Sequence, residues 1–339
     1  MSAPRPVVYV TQPVHPKALR LLEGSADVVL GYGDDPTPLD DVLPVVEGIL
    51  VRTRVLSGEE LRRAPRLRVV ARHGVGVDNI AVADATALGI LVANTPDANM
   101  QSVAEHVFAL LLAVKRKVVA ADAVVRGGRF EIRDSLVGSE LGGHRLGVIG
   151  MGRIGTHVTR IAGQGFGMDV LGFDPQLSAA EIRERGAEPV ARLGDLLRTS
   201  DAVTVHVPLT AETRGFIGAA ELAQLGPHAV LVHTARGGVV DEEALIDCLR
   251  RNSIAGAGVD VFESEPPAPD CGFFDLPNVV MTPHTAAHTG GALERMSVGA
   301  AEAVVAVLSG GRPAAVVNPA VLESARQRVV ASPSGGLSR

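Results

Sequence analysis

The sequence predicts an α/β protein built from two parallel-sheet domains, and three observations predict it. Short apolar strands alternate with helical stretches from about residue 7 to about residue 288, the pattern of parallel sheets with helical crossovers. Hydrophobic residues make up 46% of the chain but aromatics only 3%, with no Trp, so the cores are aliphatic, as in strands buried on both faces. The length, 339 residues, corresponds to two domains of roughly 150 residues or more each.

Bulk charge excludes several functions. Net charge is −6 with both signs interspersed, so no basic face exists to follow a phosphate backbone, and no nucleic-acid partner is expected. Lys17, Lys115 and Lys117 are the only lysines, so arginine carries the positive charge and a single arginine means little unless its position is special. Cys248 and Cys271 form no metal or redox spacing and fit a reducing compartment. No signal-peptide pattern opens the chain. "VFALLLAV" (107–114) is far too short to span a bilayer. A cytoplasmic protein without a membrane partner is expected.

The first domain opens with "VVYV" (7–10), and further strands are predicted in "ADVVLG", "GILVRT", "LRVVARHG" and "GILVANTP", with "SGEELRRA" helical between them. This series ends near Pro96. "SVAEHVFALLLAVKR" follows as a helix, with Ser102 and Glu105 in capping-box spacing and Lys115 and Arg116 at the dipole's negative end. Its nearly all-round apolar character predicts burial, either in a core or at a contact between domains or subunits. Residues 117–144, with the "RGGRF" break, read as a connection. A second βα series then runs from Arg145 to about His288, and "GALERMSVGAAEAVVAVLSG" forms a long final helix before a tail, "ASPSGGLSR", expected to be disordered.

The most specific local signal is Gly150-x-Gly152-x-x-Gly155 in "RLGVIGMGRIG". It follows an apolar strand and opens a helix. A second strand, "MDVLGFD", ends at Asp174, about 20 residues beyond the last glycine, as a dinucleotide fingerprint requires. Glycines let the backbone approach a pyrophosphate, and the helix N-terminus supplies free amides. Asp174 can accept from both adenine-ribose hydroxyls and would repel a 2′-phosphate, which favours NAD (NADH) over NADP.

Later strands end in "DAVTVHVPLT", "AVLVHTARGG", "IAGAGVDVFESEP" and "NVVMTPHTAAH", and ligands bind at such carboxyl ends. Arg236, Glu265 and His284 stand there. A guanidinium clamps a carboxylate through two parallel hydrogen bonds. A histidine can protonate the alkoxide that hydride addition creates, and a carboxylate beside it would favour the imidazolium and fix the ring.

These residues resemble the D-2-hydroxyacid dehydrogenase family, most closely its phosphoglycerate dehydrogenase-like branch, over roughly residues 5 to 319. "RHGVGVDNI" is similar to the family's substrate loop, and "LGVIGMGRIG" to its NAD turn. "HVPLTAETRGFIG" looks like its next strand and loop, "TARGGVVDEEAL" like its arginine signature, and "GVDVFESEPP" and "TPHTA" like its glutamate and histidine segments. The resemblance implies two Rossmann-like/flavodoxin-like domains separated by a cleft. Residues 1–96 with 291–325 would form a split substrate-binding domain, 97–290 the NAD domain, and 326–339 the tail. It implies Arg236, Glu265 and His284 as the catalytic trio, and Gly150, Gly152, Arg153, Ile154, Gly155, Asp174, His206, Val207, Pro208, Thr213, Thr234, Ala235, Asp260 and His284 at the cofactor. It also implies a homodimer through residues 102–116. His233 departs from the family's usual Asn, and His288 from a smaller residue. His284-x-x-x-His288 has zinc-like spacing, but no third ligand is apparent and no metal is expected.

Substrate identity is less legible. Arg52, Arg54, Arg72 and His73 end N-terminal strands, and Gly74, Val75 and Gly76 follow them. The resemblance assigns the amides of Val75 and Gly76 to the substrate carboxylate and the strand ends to its distal group. Cations there would suit an anionic distal group, with 3-phosphoglycerate and its oxo partner the leading pair. Phosphonopyruvate, sulfopyruvate, glyoxylate and hydroxypyruvate are the alternatives. A reading of another class is an NAD(H)-responsive binding protein or corepressor, which would bind NADH without turnover.

Overall fold

The structure, a computed structural model, describes residues 4–323; the expected tail at 326–339 lies outside them. The described chain divides into two compact units, residues 4–99 with 289–323, and residues 100–288.

The first unit is a five-stranded parallel sheet in the order β2-β1-β3-β4-β5. Its strands are β1 (Val7–Val10), β2 (Asp27–Leu30), β3 (Val46–Val51), β4 (Val69–Arg72) and β5 (Leu91–Ala93). Their near-continuous apolar runs are explained by burial on both faces, because alternate side chains point to opposite sides. Val8, Val10, Leu50, Val69, Ala71, Leu91 and Ala93 pack on one face against Ala300, Ala301 and Val304 of the final helix, Gly290–Leu308. Tyr9, Ile49, Val51, Val70 and Val92 pack on the other, with Leu39, Leu61 and Ala85 from three short helices.

The second unit is a seven-stranded parallel sheet in the order β12-β11-β10-β9-β6-β7-β8. It contains β6 (Arg145–Ile149), β7 (Asp169–Phe173), β8 (Glu188–Pro189), β9 (Ala202–Val205), β10 (Val230–His233), β11 (Gly256–Val259) and β12 (Val279–Met281). Chain order reverses at β6, which pairs with β7 on one side and β9 on the other. Such a switch point opens a crevice at the carboxyl ends of its strands.

The helix Met100–Lys115 begins two residues earlier than its sequence signals indicated. Ser102 is therefore buried inside the helix rather than capping it, and Glu105 accepts from Gln101 Nε2 instead. The helix is a core element of its own unit: Ala104, Val107, Phe108, Leu110 and Leu111 pack against Leu146, Val148, Val230 and Val232. It lies so close to β11 that a Cβ on Gly258 would stand 2.7 Å from the Leu110 Cβ. Residues 117–144 are more ordered than expected, with a helix at Val118–Arg126 and a 3-10 turn at Phe130–Leu136. Val119, Val125, Phe130 and Val137 stay exposed along that segment. Among the described residues, no helix is long and apolar enough to cross a membrane.

Candidate active site

The glycine turn sits at the switch point. Gly150 has φ 88°, and a Cβ there would meet the main chain of His206 at 2.9 Å. A Cβ on Gly155 would lie 2.1 Å from the Gly150 carbonyl oxygen, so the helix Arg153–Phe166 begins directly against the turn. At Gly152 the same Cβ would meet nothing within 4 Å. The turn is thus tight on its inner side and open above, as approach of a pyrophosphate to backbone amides requires. Arg153 is exposed at the helix start and Ile154 half-buried. Asp174 follows β7; its Oδ2 accepts from the Met151 amide at 3.0 Å and its Oδ1 from the Gln176 amide at 2.9 Å. Each oxygen keeps acceptor capacity for a ribose hydroxyl. These residues fit a dinucleotide. Sequence reading missed Arg185, whose Nη1 donates to the Met151 carbonyl, as does Thr156 Oγ1 at 3.2 Å. The backbone of Met151 is thus held at both its amide and its carbonyl.

Next to the turn, β9 runs into His206, Val207 and Pro208. The Thr213 hydroxyl donates to the Pro208 carbonyl at 2.6 Å and pins this loop. His206 Nε2 bonds Thr204 Oγ1 at 3.0 Å. Burial, then neighbouring His233, lowers the His206 pKa to about 3. His233 ends β10 and is 3% exposed. Burial lowers its pKa to about 4, opposed by the Arg236 carbonyl and the Asp260 carboxylate. Among the described residues, neither ring nitrogen of His233 meets a partner in full hydrogen-bond geometry, nor does buried Thr234 Oγ1. A cavity of about 10 Å³ beside His233, bordered by Gly237, Gly238 and Glu242, has room for roughly one water. Ala235 and Arg236 follow, both half-buried.

Arg236, Glu265 and His284 come from the loops after β10, β11 and β12. A Cβ on Gly237 would stand 1.8 Å from the Phe262 carbonyl oxygen, so only glycine lets the arginine turn rest on the glutamate loop. The two segments are tied again by Glu242 and Glu263, each accepting from the other's amide, at 2.9 and 3.3 Å. Glu265 Oε1 accepts from the Phe262 amide at 3.2 Å, and its Oε2 meets His284 Nδ1 at 2.7 Å. Burial pushes the Glu265 carboxyl up, but the His284 hydrogen bond and charge, the Phe262 amide and the Arg236 charge together hold it below the usual range. His284 has φ 52°, a left-handed backbone uncommon outside glycine. Arg236 Nη1 donates to the Ala235 carbonyl at 2.7 Å.

Asp260 is fully buried. Its Oδ1 accepts from Thr282 Oγ1 at 2.6 Å and the Thr285 amide at 2.8 Å, and its Oδ2 from the Ala286 amide at 2.9 Å. The segment from His284 to His288 is a loop rather than a helix. Among the described residues, no group of three His, Cys, Asp or Glu is arranged to hold a metal ion.

In the first unit, the candidate residues gather at the ends of β3 and β4. Arg72 Nε donates to Asn79 Oδ1 at 3.1 Å, and Asn79 Nδ2 donates to the carbonyls of Arg52 and Arg54 at 3.3 and 2.7 Å. Arg52 Nη1 donates to the Pro13 carbonyl at 3.3 Å. Arg54 is set apart: its Nη2 lies 2.6 Å from Glu60 Oε1 in an ion pair. His73 is 4% exposed and bonds Ser297 Oγ at 3.1 Å. Burial, then the charges of Arg52 and Arg72, lowers its pKa to about 4, so it is neutral near pH 7. Gly74 is clasped by Thr95, whose Oγ1 accepts from its amide at 3.1 Å and whose own amide donates to its carbonyl at 3.0 Å. Asn94 Nδ2 donates to the Val75 carbonyl at 2.7 Å, so the carbonyls of this loop are engaged within the unit before Gly76.

Comparison with known proteins identifies the family. Residues 108–286 match the family model described as "D-isomer specific 2-hydroxyacid dehydrogenase, NAD binding domain". The chain is 41% identical over 307 residues to a D-3-phosphoglycerate dehydrogenase of Mycobacterium bovis, covering 90% of this chain but only 57% of that protein. It is also 41% identical over 329 residues to a glyoxylate reductase of Aeropyrum pernix, covering 94% of this chain and 98% of that one. Among solved structures, a D-lactate dehydrogenase from Aquifex aeolicus complexed with NAD and lactic acid superposes with a TM-score of 0.81 at 30% identity, over 92% of this chain and 99% of that one. An open glycine turn with its acid, in a domain of this kind and with similarity along both units, leads to one assignment: the chain belongs to the D-isomer-specific 2-hydroxyacid dehydrogenase family.

Proposed function

We propose that the chain is an NAD-dependent 2-oxo acid reductase, or D-2-hydroxyacid dehydrogenase in the reverse direction. The observation that carries this reading is the 2.7 Å contact of His284 Nδ1 with Glu265 Oε2, with the Arg236 charge close enough to act on the same carboxylate. Bound NADH supplies the hydride. Arg236 clamps the substrate carboxylate and turns its carbonyl carbon toward the nicotinamide. His284 holds a proton on Nε2 while Nδ1 bonds Glu265, and it delivers that proton to the developing alkoxide. Glu265 keeps the ring in the donating orientation. Gly150, Gly152, Arg153, Ile154 and Gly155 hold the pyrophosphate, and Asp174 the adenine ribose. Asp260 meets the nicotinamide amide, and His206, Val207, Pro208, Thr213, Thr234 and Ala235 line the rest of the cofactor site. The acid at Asp174 favours NAD over NADP.

For the substrate, we infer a distal anion. Arg52 and Arg72 both act electrostatically on His73, which marks a local concentration of positive charge at the ends of β3 and β4. The 3-phosphoglycerate/3-phosphohydroxypyruvate pair suits that charge best, followed by phosphonopyruvate and sulfopyruvate. Glyoxylate and hydroxypyruvate offer no second charge there. The exposed apolar side chains at Val119, Val125, Phe130 and Val137, just beyond residues 102–116, support a homodimer through that region. Light scattering on the full chain reads that directly.

The deciding experiment follows NADH absorbance with each of these 2-oxo acids, using Arg236→Ala as control. Turnover concentrated on dianionic compounds, lost in the variant, is the expected result. Turnover on glyoxylate and hydroxypyruvate alone would discard the distal-anion reading and keep the reductase. NADH binding without turnover on any acid would move the protein to the binding class.

A further inference from the structure

His106 lies on the helix Met100–Lys115, within the segment expected at the dimer contact but outside every catalytic, cofactor and substrate set read from the sequence. Its side chain is 19% exposed, and its Nε2 bonds Thr282 Oγ1 at 2.9 Å and lies 3.5 Å from Asp260 Oδ1. The Thr282 hydroxyl has a single proton, and the 2.6 Å contact with the Asp260 carboxylate consumes it. The hydroxyl oxygen therefore accepts from His106, which fixes the proton of that ring on Nε2. The chain of donors reads His106 to Thr282 to Asp260.

The far end of this chain is the turn that carries His284. Asp260 accepts from the amides of Thr285 and Ala286 through its side chain and from the His284 amide, at 2.8 Å, through its carbonyl. Three successive amides on either side of a left-handed backbone are thus held by one buried residue. That carboxylate has no solvent to stabilise its charge, so its donors decide whether it stays in place. Two come from the turn itself. Thr282 is the third, and His106 orients it from a different element.

We infer that His106 is a positioning residue for His284: through Thr282 and Asp260 it holds the 282–286 turn in the conformation that places Nδ1 of His284 on Glu265. The inference rests on the reading of His284 as proton donor only for its effect on rate. The positional claim stands on geometry alone. Nothing in the local sequence marks His106, because its partners lie more than 150 residues away.

The test uses the full-length protein as wild type, His106→Ala, His106→Gln, Thr282→Val and His284→Gln. Gln at 106 reproduces an amide donor near the position of Nε2. Imidazole resonances of His284, identified by their loss in His284→Gln, are compared by heteronuclear NMR, and kcat and KM are measured with the best 2-oxo acid found. His106→Ala and Thr282→Val are expected to shift the His284 resonances and lower kcat about tenfold, the scale of losing one hydrogen bond to a charged network. KM for NADH should change less than about twofold, and His106→Gln should restore both the resonances and kcat. Unmoved His284 resonances in both His106→Ala and Thr282→Val overturn the inference, as does a His106→Gln variant no better than His106→Ala. Full turnover in His284→Gln would instead sink the proton-donor reading, while the resonance comparison would still decide the positional claim.

Discussion

Each sheet has a histidine just beyond a strand end, and the two side chains meet different partners. In the first unit, His73 is buried with Ser297 as its partner and arginine charge around it, which keeps it neutral near pH 7. In the second, His284 is partly exposed and bonded to a carboxylate. A histidine at a strand end is therefore not by that fact a proton donor. At His73, burial and the charges of Arg52 and Arg72 disfavour the imidazolium, whereas His284 has access and a hydrogen-bonded carboxylate. The same contrast recurs inside the second unit: among the described residues, the buried ring of His233 has no partner in full hydrogen-bond geometry, while His284 bonds Glu265.

The largest effect that would break this contrast comes from His284→Gln. It should lower kcat by on the order of 10³ while NADH affinity, measured by fluorescence titration, stays near wild type. A loss under tenfold would mean that the proton comes from elsewhere.

The neutral side of the contrast predicts a pH effect on stability. The folded pKa of His233 is about 4, below its value near 6.5 in an unfolded chain. Between those values the unfolded state binds more protons, so stability falls as the pH drops from about 6.5 toward 4 and levels off below. Replacing the histidine with Asn removes that share. His233→Asn should therefore gain on wild type by roughly 3 kcal/mol at most as the pH falls across this window. Urea unfolding at a series of pH values measures it, and a pH-independent difference would contradict the buried neutral state.

Arg52→Ala and Arg72→Ala sharpen the role of the first unit. Each should lower the ratio of kcat/KM for a phosphorylated over a neutral-tailed substrate by about tenfold, the scale of one charge-assisted hydrogen bond. Arg54→Ala should change it less, because the Arg54 charge is already met by Glu60. The smallest expected effect is at Asp174→Ser, which should narrow the preference for NADH over NADPH several-fold, about 1 kcal/mol, as read from kcat/KM with each cofactor.

Much of this was legible in the chain. The glycine turn with its acid, the apolar strand runs and the order of the polar strand ends depend on short-range patterns that a sequence displays directly. The start of the helix at Met100 was misread because Ser102 and Glu105 have capping-box spacing, yet the helix gains two further residues upstream, and Glu105 turns to Gln101. Strand β8, two residues long and containing a proline, has no periodicity to detect. The neutrality of His73, the pairing of Arg54 with Glu60 and the tie from His106 to Asp260 were equally invisible, since each depends on what lies across space.

By itself, then, the sequence determined the parallel α/β class, the dinucleotide turn and the candidate trio, because periodicity and motif spacing are local properties of a chain. Only the tertiary structure decided which histidines are buried and neutral, which carboxylates meet Arg54 and His284, and which residues hold His284 in place. Those are questions of burial and of partners brought together from distant segments, and proton affinity follows the environment that folding creates rather than the residue type.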